Sequence, residues 1–208
     1  MSSSYEIFYF ELHGLALTTR TLLSLGGFEW KNRHAKNWKE EEKATTPFGK
    51  LPVLTETRAD GSKFVLAESS AINRYIARKA GLFGTSEEET AIIDQFYESW
   101  SEIIAKGIPV MRLKSSEPEK YTEALANYHE TVVGPILAKH EEALQKNGTG
   151  YYVGNKLSLV DVHATAIITG LGSLIGDKTS YPHLLKLVQN VSSLDTVKAE
   201  IERFPINP

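Results

Sequence analysis

Residues 45–72 constrain the fold more than any other part of the chain. They contain the run TTPFGKLPVL, the charged turn RADG and, after a second apolar run, ESSAI, which continues as NRYI to residue 76. Short apolar runs at 51–54 and 63–67 flank the Asp-Gly turn, which predicts a β-hairpin. A proline inside a strand costs a ladder hydrogen bond, so Pro52 is predicted at the start of its strand, where it is also a candidate for a cis peptide bond.

The hairpin is followed by a predicted helix start. Ser69 stands just before the pattern AINRYIA, whose apolar residues recur at helical spacing, and is predicted to be the N-cap. The free N–H groups and the positive dipole end of such a helix suit a carboxylate or a phosphate. Strand, proline and helix start would together hold an extended, peptide-like ligand by its backbone and its carboxylate. The same pattern also describes an ordinary hairpin and a capped helix without a ligand.

Composition excludes several kinds of site. The 208 residues contain no cysteine, which excludes disulfides, thiolate metal sites, CxxC redox pairs and a cysteine nucleophile. Any thiol chemistry must therefore use a thiol that the ligand brings. The formal net charge of −3 gives no reason to expect nucleic acid as a partner. The N-terminus lacks the pattern of a secretory signal and no apolar run approaches about 20 residues, so we expect no membrane segment and a cytoplasmic location.

Two domains are expected, with different secondary structure. Residues 1–82 are predicted to form a small α/β unit, and residues 83–208 an all-helical unit. The strands of the first unit, in addition to the hairpin, are expected at 5–10 and 28–33, its helices at 15–26 and from 69 to about 80, and a loop or short irregular helix at 36–43. A linker is predicted at 84–89.

The helices of the second unit are predicted from apolar spacing and from cap signals. The sequence SLVD at 158–161 matches a capping box, in which a serine and an acidic residue three positions later cap a helix reciprocally. The expected helices are 88–107, 117–146 with a bend near Gly134-Pro135, 162–171, one that begins at 181–183, and 195–203.

Four pieces of the sequence together resemble the cytosolic glutathione transferases. They are Tyr9-Phe10 at the end of the first strand, PFGKLPVL, ESSAINRYIA, and SLVD in the second half. The resemblance covers nearly the whole chain and is to the tyrosine-type classes, especially the sigma class, which includes glutathione-dependent prostaglandin D synthases. It implies a thioredoxin-like N-terminal domain, an all-α C-terminal domain, and a homodimer that binds one glutathione per subunit as co-substrate and uses no metal.

The resemblance implies that the glutathione thiolate attacks an electrophile, with Tyr9 as the catalytic residue. A free thiol titrates near about 8.5, so only a minority is ionised at neutral pH. A neutral phenol that donates a hydrogen bond to the sulfur favours the thiolate. Alternation along a strand places Phe8 and Phe10 on the face opposite Tyr9. By pattern alone, Tyr9 would be one of several strand aromatics in the core.

The other glutathione contacts carry over from the family one residue at a time. Leu51 is expected to bind the backbone of the cysteinyl part beside a cis Pro52. Ser69 and its N–H are expected to bind the γ-glutamyl carboxylate, and Glu68, where many relatives have glutamine, the γ-glutamyl ammonium. The segment that meets the glycine end contains Trp38, Lys43 as the counter-charge, and Lys50 as either a second contact or a solvated lysine.

Two residues are assigned to the dimer. Asp94, Glu98 and Glu102 lie on one helix face by their spacing. The resemblance assigns Glu102 as an acid that extends across the dimer to the partner's glutathione, and the other two are interpreted as a solvated stripe. Phe48 is a candidate for an aromatic key at the interface, or otherwise an ordinary core residue.

One position departs from the family pattern. Many tyrosine-type relatives have Arg-Gly-Arg just after the Tyr-Phe pair, and the second arginine helps to polarise the thiol. This chain has His-Gly-Leu at 13–15. Arg20 matches a different, mainly structural arginine, whose usual acidic neighbour is replaced by Leu17. Activation would then rest on Tyr9 and backbone dipoles, and His13 is interpreted as a surface loop residue rather than a base.

The pocket for the second substrate is expected to be apolar and to suit a hydrophobic electrophile. Its predicted lining is Phe10, His13, Leu15, Ile104 and Ile108. Isomerase or peroxidase activity toward a lipid stays open within this interpretation. The alternatives are a non-catalytic ligand carrier or structural protein with the same fold, an interaction module as in translation elongation factor gamma subunits, and a thioltransferase, which the absence of cysteine disfavours.

Overall fold

The computed structural model describes residues 3–205, which form two compact units. The first unit contains residues 3–83 and 192–205, and the second contains residues 84–191. The sequence predicted one helical domain from residue 83 to the end. The structure instead packs residues 192–205 with the first unit, because the last helix of the chain contacts the first, and Glu200 on the last helix accepts a hydrogen bond from Ser24 at 2.8 Å.

The predicted combination of an α/β first unit and a helical second unit is confirmed. The elements are β1 (Ser4–Tyr9), α1 (Leu17–Leu25), β2 (Glu29–His34), β3 (Val53–Thr57), β4 (Lys63–Ala67), α2 (Ser69–Lys79), α3 (Glu87–Ser116), α4 (Pro118–Tyr128), α5 (Gly134–Asn147), α6 (Leu159–Gly170), α7 (Gly172–Ile175), α8 (Pro182–Ser192) and α9 (Asp195–Ile201). The strand order is β2-β1-β3-β4. Strand β1 is parallel to β2 and antiparallel to β3, and β4 closes the predicted hairpin with β3.

The segments around the hairpin agree with the sequence except at the helix start. The Leu51–Pro52 peptide bond is cis, as predicted, and β3 begins one residue later. The prediction of Ser69 as N-cap is wrong, because Glu68 is the N-cap and Ser69 is the first helical residue. Glu68 has φ 69° and ψ 114°, so the chain turns from β4 into α2 one residue earlier than the serine signal indicated.

Two other segments of the first unit differ in detail from the prediction. The predicted helix at 15–26 is a 3₁₀ turn at Gly14–Ala16 followed by α1. The polar segment after β2 is a short irregular helix, one of the two forms predicted for it. It consists of a π-helical turn at Trp38–Glu42 and a 3₁₀ turn at Lys43–Thr45.

Helix α3 is longer at both ends than the sequence indicated. At its start Ser86 caps the helix and accepts the Glu89 N–H at 3.1 Å, so half of the predicted linker is the first helical turn. At the other end, the predicted helix ended at Gly107, whereas α3 continues to Ser116. Gly107 is there for close packing, because a Cβ at this position would lie 2.6 Å from the Leu174 side chain and 2.8 Å from the Tyr128 hydroxyl.

The remaining predicted helices are present in the structure, and the short helix α7 was not predicted. The predicted helix 117–146 is interrupted by a π-helical turn at His129–Val133, just before the Gly134-Pro135 pair where a bend was predicted. The capping box is confirmed: the Asp161 carboxylate accepts the Ser158 N–H at 2.7 Å. The same carboxylate also accepts the Tyr152 N–H at 2.9 Å and so ties the preceding loop to α6.

Among residues 3–205 no helix combines the length and apolarity that crossing a membrane requires. Nor does this part of the chain contain a group of three or more histidine, aspartate or glutamate side chains placed to hold a metal ion.

A buried carboxylate joins β3 to α2. The Glu56 side chain is 1% exposed and accepts hydrogen bonds from the Tyr5 hydroxyl at 3.4 Å, the Lys79 ammonium at 2.8 Å and the Tyr75 hydroxyl. Burial by itself would raise the pKa of Glu56, but hydrogen bonds from Lys79, Tyr75 and Ser3 outweigh burial and lower the pKa to about 2. The ionised carboxylate therefore contributes to the stability of the first unit.

Glu56→Gln is expected to lower the free energy of unfolding by about 2 kcal/mol at pH 7, since it removes the charge that Lys79 binds; Lys79 is partly exposed, which limits the loss. Because the pKa of Glu56 falls on folding, its contribution is complete above about pH 4.5 and is lost as the pH falls toward about 2. Urea unfolding followed by circular dichroism across this pH range measures both effects.

The matched control is Glu6→Gln, which breaks a pair with Lys31 on the same sheet. The Lys31 side chain is 73% exposed, so this change should cost no more than about 0.5 kcal/mol. An equal loss of unfolding free energy in the two variants would contradict the larger contribution to stability that we assign to Glu56.

Candidate active site

Strand pairing brings three segments of the first unit to the same end of the sheet. Phe8 in β1 pairs with Val53 in β3, and Val53 pairs with Ala67 in β4. The residues that leave β1, enter β3 and leave β4 therefore lie side by side. In that order they are Tyr9, Leu51-Pro52 and Glu68-Ser69.

The hydroxyl of Tyr9 has a defined hydrogen-bond geometry. Tyr9 is the last residue of β1 and is 7% exposed. Its oxygen accepts a hydrogen bond from the Leu15 N–H at 3.1 Å. Among residues 3–205 no group accepts a hydrogen bond from the Tyr9 hydroxyl. Burial raises the pKa of Tyr9, while the Leu15 hydrogen bond and the positive charge of Arg20 act in the opposite direction. At neutral pH the phenol therefore keeps its proton and can donate it in a hydrogen bond to an anion.

The loop after β1 requires a glycine next to this hydroxyl. Gly14 has φ +42°, in the left-handed region, and a Cβ there would lie 2.5 Å from the Tyr9 hydroxyl oxygen. Gly14 thus allows the backbone to pass close to the phenol, and the next residue, Leu15, then presents its N–H. The side chain at position 15 does not take part in this contact.

Arg20 fixes the same loop from the α1 side. It is 1% exposed and donates to the Leu12 carbonyl at 2.7 Å, to the Phe10 carbonyl at 3.4 Å and to Asn32 Oδ1 at 2.8 Å. Its guanidinium carbon lies 5.8 Å from the centre of the Tyr9 ring. Burial lowers the pKa of Arg20 to about 10, so it remains charged at pH 7. Neutral oxygens accept the Arg20 hydrogen bonds in place of the acidic neighbour that position 17 lacks, and the Glu200 carboxylate adds a favourable charge without a direct hydrogen bond.

The segment that enters β3 offers backbone groups. Leu51 is half-buried and precedes the cis bond to Pro52. Among the described residues neither the N–H nor the C=O of Leu51 has a hydrogen-bond partner. A free donor and acceptor on one residue at a sheet end can pair with an extended peptide in the manner of an added strand.

The start of α2 is open to an anion. No side chain caps it, so the first N–H groups of the helix, at Ser69 and Ser70, have no capping partner. Glu68 is the only residue other than glycine with a positive φ among residues 3–205. A left-handed glutamate at a helix start is uncommon and costs free energy, a feature that clusters at ligand-binding positions.

The segment between β2 and β3 supplies an indole and two lysines near this end of the sheet. The Trp38 ring meets Phe8 at 6.3 Å and Phe10 at 5.8 Å between centroids, both edge-on. It packs with Leu51 on the same apolar cluster as Phe8. Lys43 and Lys50 are exposed, and within residues 3–205 neither has an ion-pair partner. Both ammonium groups are therefore available to a carboxylate.

The predicted residues on α3 belong to the second unit. Ile104 is buried and Ile108 is half-buried. Glu102 is 48% exposed and forms an ion pair of 2.6 Å with Lys106, one turn along the helix. In the first unit, Phe10 and Leu15 are both half-buried.

His13 differs from its prediction as a surface loop residue. It is 3% exposed, and its Nε2 lies 2.8 Å from the carbonyl oxygens of Ile201 and Phe204. Sequence reasoning did not identify Phe204, which covers His13 and Arg20. No local pattern could have done so, because Phe204 lies more than 180 residues along the chain from both.

Family models match both halves of the chain. The model described as Glutathione S-transferase, N-terminal domain, matches residues 5–78, and that described as Glutathione S-transferase, C-terminal domain, matches residues 105–202. The first match contains Tyr9, Leu51, Pro52, Glu68 and Ser69.

Whole-chain comparisons agree with these matches. The chain is 31% identical to glutathione S-transferase 1 of Ascaris suum, with 98% of each protein covered. It is 30% identical to glutathione S-transferase A1 of Homo sapiens, over 95% of this chain and 88% of the human protein. The structure of prostaglandin synthase D of Nilaparvata lugens is 28% identical and superposes with a TM-score of 0.84 over 98% of this chain and all of that one. The chain therefore belongs to the glutathione S-transferase family.

Proposed function

We propose that the protein conjugates the glutathione thiolate to hydrophobic electrophiles. The observation that carries the proposal is the Tyr9 hydroxyl, which accepts the Leu15 N–H and keeps its own proton for a ligand. A phenol held in this way favours an ionised sulfur over a protonated one, because its hydrogen bond is stronger to the anion. The arginine that is missing at position 15 is replaced in this role by a backbone donor.

Glutathione would bind across the end of the sheet as an extended peptide. The free N–H and C=O of Leu51 suit the cysteinyl residue, and the uncapped start of α2 at Ser69 suits the γ-glutamyl carboxylate. Glu68 would receive the γ-glutamyl ammonium. The glycine carboxylate would lie near Trp38, with Lys43 and Lys50 available as counter-charges.

The chemistry needs only ionisation and attack. The thiol proton is lost to solvent, and the sulfur lone pair forms the new carbon–sulfur bond. With an aryl halide the carbon–halogen bond breaks and the halide leaves as an anion; with an activated alkene the π bond breaks and its electron pair takes a proton from solvent. Tyr9 donates its hydrogen bond to the sulfur throughout and stays protonated. Glutathione is thus a co-substrate that supplies the thiol that this cysteine-free chain lacks.

The proposed electrophile is apolar. In the first unit, Phe10 and Leu15 provide half-buried apolar surface close to Tyr9 in the chain, and His13 is withdrawn from the proposed lining because it is covered by Phe204. Ile104 and Ile108 on α3 stay predicted contacts. We propose the cytoplasm as the location, where glutathione is the main thiol buffer.

The alternative is a protein that binds glutathione or apolar ligands without activating the thiol. The absent arginine side chain favours it, and the hydrogen bond from the Leu15 N–H to Tyr9 opposes it. Titration of the bound thiol by ultraviolet difference absorbance separates the two. Activation predicts a pKa for the bound thiol well below that of free glutathione, and the carrier predicts binding with no such change.

Tyr9→Phe is expected to leave the affinity for glutathione nearly unchanged and to reduce transition-state stabilisation by about 2–4 kcal/mol, since one oriented hydrogen bond to a developing anion is lost. The bound-thiol pKa should rise in the same variant. Steady-state kinetics with a model aryl halide, together with the thiol titration, measure both effects. Tyr5→Phe removes a hydroxyl from the same strand and serves as control; equal turnover in the two variants would remove Tyr9 from the mechanism.

We also propose that the protein is a homodimer, as members of this family generally are. Phe48 is 66% exposed, which is inconsistent with an ordinary core residue. The second unit has a cleft of about 280 Å³ between α3 and α5, large enough for an aromatic ring. It is lined by Gln95, Phe96, Ser99, Pro135, Ile136, Lys139 and His140. Insertion of Phe48 of each copy into the cleft of the other would form a two-fold interface.

Phe48→Ala is expected to weaken the dimer by about 2 kcal/mol, as a central aromatic residue of an interface does on truncation. Sedimentation velocity over a range of protein concentrations measures the change. Leu185→Ala, on α8, removes another exposed apolar side chain and should leave the assembly unchanged. A wild-type monomer, or a dimer insensitive to Phe48→Ala, would contradict this interface.

Glu102→Ala is expected to weaken glutathione binding only if the carboxylate acts on the partner's site. The control is Lys106→Ala, which breaks the same ion pair but keeps the carboxylate. Isothermal titration calorimetry should then give a higher dissociation constant for Glu102→Ala and an unchanged one for Lys106→Ala. Equal dissociation constants in both variants and the wild type would rule out the role across the dimer.

A further inference from the structure

The C-terminal segment of the first unit contacts the loop that serves Tyr9. We call residues 200–204 the tail segment and residues 10–15 the site loop. The tail segment begins at the end of α9 and contacts two residues. His13 in the site loop is hydrogen-bonded to the backbone of this segment, and Arg20 in α1 lies against the Phe204 ring. These contacts join the end of the chain to the candidate active site.

The first contact is between Phe204 and Arg20. The guanidinium carbon of Arg20 lies 4.7 Å from the centre of the Phe204 ring, within the range of a cation–π interaction. Arg20 in turn donates to the carbonyls of Phe10 and Leu12. The oxygens that accept hydrogen bonds from Arg20 are all neutral, and no carboxylate binds the guanidinium directly. The face of the Phe204 ring therefore adds an attractive interaction for this buried cation. Phe204 therefore helps to keep Arg20 where it binds the site loop.

The second contact is between His13 and the tail backbone. Carbonyl oxygens only accept, so the His13 Nε2, 2.8 Å from the oxygens of both Ile201 and Phe204, must carry the proton. The other ring nitrogen, Nδ1, is buried without a hydrogen-bond partner among residues 3–205, and burial lowers the pKa of His13. His13 is therefore a neutral donor that binds the site loop to the tail segment.

The tail segment has an anchor that does not involve the site loop. The Glu200 carboxylate accepts hydrogen bonds from the Ser24 hydroxyl at 2.8 Å and from Arg203 at 2.7 and 2.8 Å. Ser24 in turn accepts the indole N–H of Trp30 at 2.9 Å. The tail segment is thus fixed to α1 and β2, so it can act as a support for the loop.

We propose that the tail segment is a positioning device for Tyr9, in which Phe204 and His13 hold the site loop so that the Leu15 N–H points at the tyrosine hydroxyl. His13 and Leu15 are two residues apart, with Gly14 between them in a left-handed conformation. A glycine offers little resistance to rotation, so the direction of the Leu15 N–H depends on what holds its neighbours. The consequence for the thiol rests on the proposed function, whereas the geometry of the loop does not.

Charged groups of the tail segment also act on this region. Arg20 is the charged group that acts on Tyr9, and Arg20 itself lies in the field of Glu200 and Arg203. His13 and His34 both lie at the Phe204 ring, with centroids 5.5 and 5.8 Å away. Loss of the tail contacts would remove the Leu15 N–H as a donor to the phenol and would loosen the Arg20 guanidinium. Both changes would weaken a hydrogen bond from the Tyr9 hydroxyl to an anion.

The test uses the ligand-free, full-length protein and the amide of Leu15 as its probe. Hydrogen exchange followed by nuclear magnetic resonance reports whether the Leu15 N–H is bonded. We expect Phe204→Leu and His13→Leu each to speed exchange at Leu15 by about tenfold or more. His13→Gln, whose side-chain amide can donate from nearly the same position as Nε2, should restore slow exchange.

Phe83→Leu is the matched control. Phe83 lies in the same unit, and the centre of its ring is 4.5 Å from the Arg78 guanidinium carbon. The substitution therefore removes a similar arginine–aromatic contact at a position away from the site loop. Exchange at Leu15 that is unchanged in Phe204→Leu and His13→Leu would overturn the proposal. An equal acceleration at Leu15 in Phe83→Leu would also overturn it, since general loss of stability would then explain the effect.

A second measurement separates this proposal from the proposed function. With glutathione bound, Phe204→Leu and His13→Leu should raise the pKa of the bound thiol by about one unit, a tenfold smaller thiolate fraction below that pKa, without changing the affinity for glutathione. The two measurements can disagree. If the wild-type protein does not lower the pKa of the bound thiol but Leu15 still exchanges faster in the variants, the role of the tail segment is supported and the proposed transferase activity is rejected.

Discussion

The pairing of β1, β3 and β4 is the constraint on which the site depends. Phe8, Val53 and Ala67 are in register across three strands. For this reason the Tyr9 phenol, the backbone of Leu51 and the start of α2 lie at one end of the sheet, although they do not need to contact one another directly. A shift of one residue in β3 would turn its side chains to the opposite face and move Leu51 away from Tyr9. The buried pair of Ile7 and Leu54, adjacent in the same register, opposes such a shift. Core packing of the sheet thus also aligns the site.

Sequence reasoning predicted the parts of this arrangement that are local. The Asp-Gly turn, the proline before β3 and the SLVD capping box each depend on residues within a few positions of one another, and the structure agrees with all three. The fold class followed from the change from strand patterns to helical patterns. The errors at the helix boundaries have separate causes. Helix α2 starts at Ser69 because the chain turns at Glu68 with a positive φ, and α3 continues past Gly107, where the absence of a side chain allows close packing on Leu174 and Tyr128.

The parts of the site that could not be predicted are those made by the backbone or by distant residues. The donor to Tyr9 is the N–H of Leu15, and a main-chain group has no signature in a sequence. The left-handed backbone of Glu68 likewise follows from how β4 and α2 join. Phe204 meets His13 and Arg20 only after the chain has completed the second unit and returned to the first. Binding residues in the glutathione contacts were assigned through family resemblance and remain predictions.

The use of a main-chain donor at Leu15 has a consequence for how the protein can evolve. Where an arginine side chain polarises the thiol, any replacement of that residue changes both reactivity and the shape of the neighbouring surface. Here the N–H is present with every residue except proline, so the side chain at this position can vary in size and polarity while the tyrosine keeps its donor. Under the proposed function, selection for new electrophiles can therefore act on position 15 while the Tyr9 hydroxyl keeps its backbone donor, and mutational sensitivity is concentrated instead at Gly14, where a Cβ would meet the phenol.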